Sequence, residues 1–213
     1  MKFLLSNILS FSCLAAMCAV GLVMYPGLPE SLPTQYDLNG AAGSYLPKQT
    51  VILIMPLAYA ASIAAINFMV RYSPDKFSMP NSQRAMDIII FGVGILLFSL
   101  HLGIMTSLGD GDIFQRYFSI GFASFLIVAG NVFGKTERNF IIGIRIPWTL
   151  ASKENWRATH RFAGRLMVIS GALLLFLSLY TASLLTTLGL GLSWLVVSAV
   201  YSFLFFLKNE RAS

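Results

Sequence analysis

Six long apolar runs dominate this chain of 213 residues. A bilayer core is about 30 Å thick, so a helix needs about 20 mostly apolar residues to cross it. Only 11% of the residues are charged, whereas a soluble domain has about 25% charged residues. We therefore predict an all-α membrane protein with six transmembrane helices. The predicted spans are 3–24, 50–70, 86–108, 117–134, 166–185 and 190–207.

Lysine and arginine are unevenly divided between the two sides that six spans define. One side carries thirteen of the fifteen, and the other carries only Lys48 and Arg116. Cytoplasmic loops hold the positive excess in membrane proteins, so we predict that both termini are cytoplasmic and that the loop 25–49 lies outside. The net charge of +6 follows from this asymmetry and from attraction to anionic lipid. It is not the footprint of a nucleic-acid-binding protein.

The start of the chain has a basic residue and an apolar core, as a signal peptide has. The apolar run continues to Met24 without a small-residue cleavage site, so we expect it to remain as the first span. Cys13 and Cys18 lie within that run and should act as small hydrophobic residues. They provide no framework for a disulfide or a metal.

The predicted outer loop cannot be a helix, because three prolines and three glycines lie between Gly27 and Lys48. The turn signals at 39–40 and 42–43 predict a compact loop with short extended pieces. Asp37 and Asn39 have the spacing of a calcium loop, but the third ligand and the final acidic residue are absent. We therefore predict no metal site and no cofactor.

The most polar part of the chain follows the fourth span. Pro147 excludes Ile146 from helical geometry, so we predict an extended elbow over 145–150. Trp148 should lie in the headgroup region with its indole N–H in contact with water. Ser152 is a good N-cap, and a helix should begin there.

That helix is predicted to be amphipathic, to lie at the membrane interface and to run into the fifth span. Its two faces differ in chemistry. A basic stripe recurs every four residues, at Lys153, Arg157, Arg161 and Arg165. The other face carries Trp156, His160, Ala163 and Met167. The basic stripe should meet anionic headgroups or an acidic partner.

Three polar residues within the predicted spans are candidates for a transport path: Asn67, His101 and Asn131. Asn67 should bond to a neighbouring helix. His101 is a candidate for a proton relay or a ligand contact, because ionisable groups in a membrane are costly. The alternative is a neutral His101 that bonds to a backbone carbonyl or a hydroxyl of an adjacent helix. Three polar residues are few for a transport path.

The segment 130–164 is similar to the signature of the SdpI family, GN-x-x-x-K-x-x-x-N-x-x-x-G-x-R-x-PWTL-x-x-x-x-x-W-x-x-THR-x-x-G. Ile146 departs from the threonine that is usual there. The outer loop also resembles the small extracytoplasmic module of this family, with Gln35 where histidine is common. The matching residues of the signature are Gly130, Asn131, Lys135, Asn139, Gly143, Arg145, Pro147, Trp148, Thr149, Leu150, Trp156, Thr159, His160, Arg161 and Gly164. Those of the module are Leu28, Pro29, Pro33, Tyr36, Asp37, Gly40 and Lys48.

The resemblance implies an immunity protein of the bacterial inner membrane, which protects its cell against a secreted peptide toxin and also holds a transcriptional repressor at the membrane. It implies no enzymatic activity, and it divides the chain into a two-span module, 1–70, and a four-span region, 86–213, with the signature loop 135–163. The residues expected to face the toxin are Pro33, Tyr36, Asp37, Asn39 and Gly40. Those expected to form a cytoplasmic surface are Asn131, Asn139, Arg145, Pro147, Trp148, Thr149, Trp156, Thr159, His160 and Arg161.

Two other classes of function stay open at this point. A transporter or membrane enzyme would use His101 and Asn131 as a polar path or His160 as an acid or base. That reading lacks a nucleophile, a metal or a carboxylate pair beside His160. A scaffold of an envelope complex would need no ligand at all.

Overall fold

A computed structural model describes residues 7–72, 83–139, 141–181 and 183–209. In these ranges six helices are long and apolar enough to cross a membrane. A seventh helix is short. The helices are α1 Ile8–Met24, α2 Lys48–Arg71, α3 Gln83–Ser107, α4 Gly111–Phe133, α5 Pro147–Ala151, α6 Lys153–Leu177 and α7 Leu184–Asn209. The chain is thus a multipass, all-α membrane protein, as predicted. The start of the first predicted span and the connection 73–82 lie outside the described residues.

The helices form a bundle in which α3 links two parts. α1 and α2 pack against each other and against α3, whereas α3 also packs along α4. α4 then packs against α6, and α6 against α7. The end of the bundle that carries Arg71, Arg84 and Lys153 is called the basic end below, and the opposite end is called the hairpin end.

The crossing of α4 and α6 depends on two glycines. A Cβ atom on Gly130 would lie 2.8 Å from the carbonyl oxygen of Gly164, and one on Gly164 would lie 2.7 Å from that of Gly130. Real Cβ atoms essentially never approach so closely, so neither position admits a side chain without moving a helix. Small residues at such crossings let membrane helices approach closely. This crossing holds the signature segment against α4.

The fifth and sixth spans differ from the prediction in their bounds. The amphipathic segment and the fifth span form one continuous helix, α6, which ends at Leu177. The gap that the predicted spans leave at 186–189 is wrong, because those residues lie inside α7. The connection is 178–183, and the start of α7 is held by Gln115, whose side-chain oxygen accepts from the Leu184 amide at 3.1 Å. A partner on α4, distant in sequence, thus sets the place where α7 begins.

Two predictions about polar side chains are confirmed, one for a helix cap and one for a contact between helices. The Ser152 hydroxyl caps α6 by accepting from the Asn155 amide at 3.1 Å. Asn67 bonds to the side chain of Asn7, the N-cap residue of α1, at 3.4 and 3.5 Å. It also donates to the carbonyl of Ile63 at 2.8 Å, so its amide is well satisfied.

The loop between α1 and α2 is a β-hairpin, which agrees with the predicted compact loop with short extended pieces. Strand β1, Ser31–Pro33, pairs antiparallel with strand β2, Tyr45–Pro47, with Leu32 opposite Leu46. An isolated bridge between Tyr36 and Ala42 extends the pairing towards the tip. Residues 31–47 are called the proline hairpin below. Its strands tolerate proline because each is an edge strand.

Candidate functional site

The first part of the signature loop, residues 135–146, is folded by hydrogen bonds between side chains and backbone. The Asn139 side-chain oxygen accepts from the amides of Ile141 and Ile142, at 2.7 and 2.8 Å. Its nitrogen donates to the carbonyl of Glu137 at 2.7 Å. Asn139 is buried, so these bonds replace the contacts that the loop backbone would otherwise make with water.

His160 connects this loop to α6. Its Nε2 accepts from the Ile144 amide at 3.0 Å, and its Nδ1 lies 2.8 Å from the carbonyl oxygen of Trp156. An amide can only donate and a carbonyl can only accept, so Nδ1 carries the hydrogen and Nε2 does not. The ring is therefore neutral, and both of its nitrogens are engaged. An acid or base role for His160 would require one of these bonds to break.

Aromatic rings surround His160 and complete the buried link. The Trp156 ring stacks on it with the centroids 3.9 Å apart, and the Phe133 ring lies 5.0 Å away. The Trp156 indole nitrogen donates to the carbonyl of Thr136 at 2.8 Å. Both Trp156 and His160 are almost fully buried. The ring cluster thus joins the loop, α4 and α6.

Gly143 lets the loop pass directly over these rings. Its φ is +134°, and a Cβ atom there would lie 2.5 Å from Nε2 of His160 and 2.7 Å from the Trp156 ring. This φ is one that residues with a side chain rarely adopt. Both the backbone angle and the lack of space therefore require glycine at this position.

Thr149 closes the loop at its far end. Its hydroxyl donates to the carbonyl of Ile144 at 2.7 Å and accepts from the Ile146 amide at 3.1 Å. Ile146 has the extended geometry predicted for it, with φ −108° and ψ 158°. The elbow predicted over the next residues is wrong, because Pro147 begins helix α5. Proline suits the first turn of a helix, where its missing N–H has no partner to lose.

The last helix is fastened to this region through Ser202. The Trp148 indole nitrogen donates to the Ser202 hydroxyl at 2.9 Å, and the Asn155 side chain donates to the Ser202 carbonyl at 3.2 Å. The prediction of a wet indole N–H at Trp148 is therefore wrong. Sequence analysis did not single out Asn155. The one sequence pattern that could have indicated a role for Asn155 is its spacing of four residues to Thr159. The Thr159 hydroxyl donates to the Asn155 side chain at 2.9 Å on the buried helix face.

A polar cavity of about 1200 Å³ lies beside the signature loop, between α4 and α6. It is called the basic groove below. Six cations and one carboxylate, Glu137, are among its lining residues. The cations are Lys135, Arg138, Lys153, Arg157, Arg161 and Arg165. The basic stripe predicted on the amphipathic helix thus forms one wall, and sequence analysis did not predict the opposite wall.

The proline hairpin is docked at the other end of the bundle. The Tyr36 hydroxyl is 2.6 Å from that of Ser107, and its ring stacks on Phe114 at 4.2 Å between centroids. Gly40, with φ +85°, lies directly against Gly111 at the start of α4. Burial raises the pKa of the Tyr36 phenol above its ordinary value, and the hydrogen bond to Ser107 opposes this effect. The hairpin therefore rests on α3 and α4 as a fixed unit.

Both ends of the molecule correspond to known families. Residues 135–202 match the SdpI/YfhL protein family. Residues 13–59 match a domain of unknown function, DUF1648. The chain is also 28% identical to the immunity protein SdpI of Bacillus subtilis (strain 168) over 205 residues, which is 95% of this chain and 96% of the relative.

The chain is therefore similar to the SdpI/YfhL protein family.

No solved structure matches the chain. The SdpI/YfhL match begins at the signature loop and continues through α6 into α7. It therefore contains the loop, the His160 link and the Ser202 anchor. Part of the basic groove also lies within it.

The signature residues of this chain are divided between interior and surface. Four of the ten expected on a cytoplasmic surface are exposed, namely Asn131, Arg145, Pro147 and Arg161. Trp148 is half-buried. For the others the expected exposure is wrong, because they are needed as hydrogen-bond and packing partners inside the loop. These buried residues are Asn139, Thr149, Trp156, Thr159 and His160.

The residues expected to face a toxin are divided in the same way. Asp37 and Asn39 are exposed at the hairpin tip, and Tyr36 is half-buried. Pro33 and Gly40 are buried, so an incoming peptide cannot reach them directly. One Asp37 carboxylate oxygen accepts from the amides of Asn39 and Ala41, both at 2.8 Å, which shapes the tip. Asp37 and Asn39 are thus the exposed polar side chains of the predicted set.

His101 lies in the bundle interior and is 1% exposed. Neither ring nitrogen has a hydrogen bond of good geometry within the described residues, but the ring interacts with the backbone of Met17 on the adjacent helix α1. A Cβ atom on Gly21 would lie 3.3 Å from its Nε2, so His101 packs against α1. Within the described part of the chain, no group of three His, Cys, Asp or Glu residues could hold a metal.

Proposed function

We propose that this protein is an immunity protein that protects its own cell against a secreted peptide toxin. The observation that carries the proposal is the similarity to the immunity protein SdpI of Bacillus subtilis, which covers 95% of this chain and 96% of the relative. That similarity includes the proline hairpin as well as the signature loop. The proline hairpin and the signature loop can therefore both contribute to immunity.

The charge distribution supports an orientation in the bacterial inner membrane. In the order of the predicted spans, thirteen of the fifteen lysines and arginines fall on one side, the side that includes Arg71, Arg84 and Lys153 of the basic end. The positive-inside rule then puts the basic end and both termini in the cytoplasm, with the proline hairpin outside. On this orientation the two-span module, 1–70, receives the toxin and the four-span region, 86–213, faces the cell.

The hairpin tip is the part best suited to contact a toxin. Leu38 is 56% exposed, and the exposed Asp37 and Asn39 flank it. An exposed apolar side chain between polar ones can bind an amphipathic peptide from water. The docking of Tyr36 on α3 and α4 holds the tip in one position. A preorganised site loses less entropy when it binds its ligand.

The signature loop supports the second half of the proposal, that the protein holds a transcriptional repressor at the membrane. Arg145 and Pro147 are exposed on the cytoplasmic side of the proposed orientation, and the loop beneath them is rigidly hydrogen-bonded. An arginine on a fixed backbone is well suited to bind a carboxylate of a partner protein. The buried signature residues would then position this surface.

Growth in the presence of the toxin tests the immunity function. The gene is deleted, and the deletion strain is grown in culture supernatant of its parent strain. We expect killing, rescue by the intact chain, weaker rescue by Asn39→Ala, and full rescue by the control Ser31→Ala at the exposed base of the hairpin. Failure of the intact chain to rescue, when it is present in the membrane, would overturn the proposal.

Transcription in the same cells tests the repressor function separately. We expect the supernatant to change transcript levels in cells with the intact chain, and expect Arg145→Ala to abolish this change while immunity remains. Arg138→Ala is the control. It also removes a cation, but the Arg138 guanidinium is already held within the protein, because it donates to the carbonyls of Leu150 and Ala151 at 2.8 and 3.1 Å. An unchanged response in Arg145→Ala would argue against docking at this residue.

A further inference from the structure

The basic groove is an open polar cavity, and its charge is unbalanced. Six cations line it, whereas Glu137 is the one carboxylate among the lining residues. Like charges brought together around a cavity repel one another and attract an anion from solution. The groove is thus built to hold a negatively charged group.

Five of the six cations, all except Arg138, have no hydrogen-bond or salt-bridge partner in the described part of the chain. Arg157, Arg161 and Arg165 are exposed, and none forms a hydrogen bond or salt bridge with a described residue. Arg138 differs, because its guanidinium is held by two carbonyls. The spacing of four residues directs the three free guanidinium groups to one side of α6. Together they can surround a phosphate.

The groove continues into an apolar strip on the same helix. Val168 and Ile169 form its edge towards the middle of the bundle. Ile169, Leu173 and Phe176 are 62%, 46% and 56% exposed on α6, in a part of the helix that is apolar enough to lie in lipid. The cations and the strip therefore match a ligand with a charged head and a hydrocarbon tail.

We propose that the basic groove is a binding site for an anionic phospholipid. The headgroup phosphate lies among Arg157, Arg161 and Arg165, and an acyl chain follows α6 past Ile169. Basic pockets between membrane helices on the cytoplasmic side are suited to such headgroups. This site is independent of the toxin site and would exist whether or not the protein confers immunity.

Lipid retention by the full-length protein tests the site. The protein is purified in a neutral detergent, and phosphatidylglycerol, cardiolipin or phosphatidylcholine is titrated while bound lipid is counted by native mass spectrometry. The groove variant is Arg157→Gln, Arg161→Gln and Arg165→Gln together. The matched control is Arg71→Gln, Arg84→Gln and Lys208→Gln, which removes three exposed cations from the same end of the bundle but outside the groove.

We expect the protein to bind the two anionic lipids in preference to phosphatidylcholine. The groove variant should bind them roughly a hundredfold more weakly, since each cation contributes about fivefold near a headgroup. The control should stay within about threefold of the unmodified protein. Equal weakening in both triple variants would show general charge attraction and would overturn the site. All variants are exposed-residue changes, and an unchanged elution volume verifies their fold.

Two further arms distinguish the source of the phosphate. Ile169→Ser should weaken phosphatidylglycerol binding and leave competition by inorganic phosphate unchanged, because only the lipid uses the apolar strip. Inorganic phosphate that binds as tightly as the lipid would overturn the lipid assignment. So would a polyglutamate peptide that binds more tightly than phosphatidylglycerol and depends on the same three arginines, since the groove would then fit an acidic protein.

Discussion

The two ends of the molecule each carry a polar motif, yet the motifs have opposite relations to the surface. At the hairpin end, backbone pairing between β1 and β2 folds the loop, so the polar tip at Asp37 and Asn39 stays exposed. At the basic end, the signature loop has no strand partner, and side chains such as Asn139 and His160 satisfy its backbone instead. Those side chains are buried, and their hydrogen bonds are made to the loop backbone.

This difference shows that a dense polar motif need not be a contact surface. The backbone donors and acceptors of an irregular loop that is packed into a bundle must find partners. Asparagine, threonine and histidine can supply them over short distances. At the basic end, the chemistry offered to partners is therefore left mainly to the cations around the groove and to Arg145.

The largest expected effect is that of Gly143→Ala. The new Cβ would overlap the His160 and Trp156 rings at a φ of +134°, so the free energy of unfolding should fall by about 2–4 kcal/mol. Melting in detergent measures the loss. Gly189→Ala is the matched control, because nothing lies within 4 Å of a Cβ there. If the two variants melt alike, the loop is not held tightly on the ring cluster.

His160→Ala tests whether this residue is a structural link. It removes the acceptor of the buried Ile144 amide and leaves a cavity between Trp156 and Phe133, at a cost of about 2–4 kcal/mol. The exposed neighbour Arg161→Ala should change stability by only about 0.5 kcal/mol or less. Loss of immunity in His160→Ala with an unchanged melting temperature would contradict the structural role and favour a direct one.

A smaller effect is expected at the hairpin end from Tyr36→Phe. This variant keeps the stack on Phe114 and loses the hydrogen bond to Ser107, which is worth about 1 kcal/mol. Hydrogen exchange should rise over 31–47 and stay unchanged in the signature loop. The exposed Tyr45→Phe serves as control. Equal changes at both ends would show that the two loops fold as one unit and would contradict their separate means of folding.

The smallest effect is the pH dependence of the Tyr36 anchor. Burial raises the pKa of this phenol, so the folded value lies above the unfolded value of about 10. The stability that the neutral phenol contributes is present below about pH 10, and it is lost as the pH rises through the folded pKa. Subtracting the tyrosinate absorbance of Tyr36→Phe from that of the unmodified protein isolates this titration. A midpoint at or below the ordinary tyrosine value would contradict the docked position.

Sequence by itself determined the features that depend on neighbouring residues. Six apolar runs predict six spans because crossing a bilayer requires length and hydrophobicity alone. The N-cap at Ser152, the two faces of α6 and the turns of the proline hairpin follow equally from local spacing. The similarity of the signature to the SdpI family could be recognised for the same reason, since it is a pattern along the chain.

Tertiary structure alone decided which polar residues are buried and which remain for partners. The Ile144 amide meets His160 across 16 positions, and Asn155 meets the Ser202 carbonyl across 47. The basic groove needs both α4 and α6, which meet where Gly130 and Gly164 leave room for close approach. A polar side chain has the same place in the sequence whether it bonds to water or to a distant backbone group. Only the packing of the helices distinguishes the two.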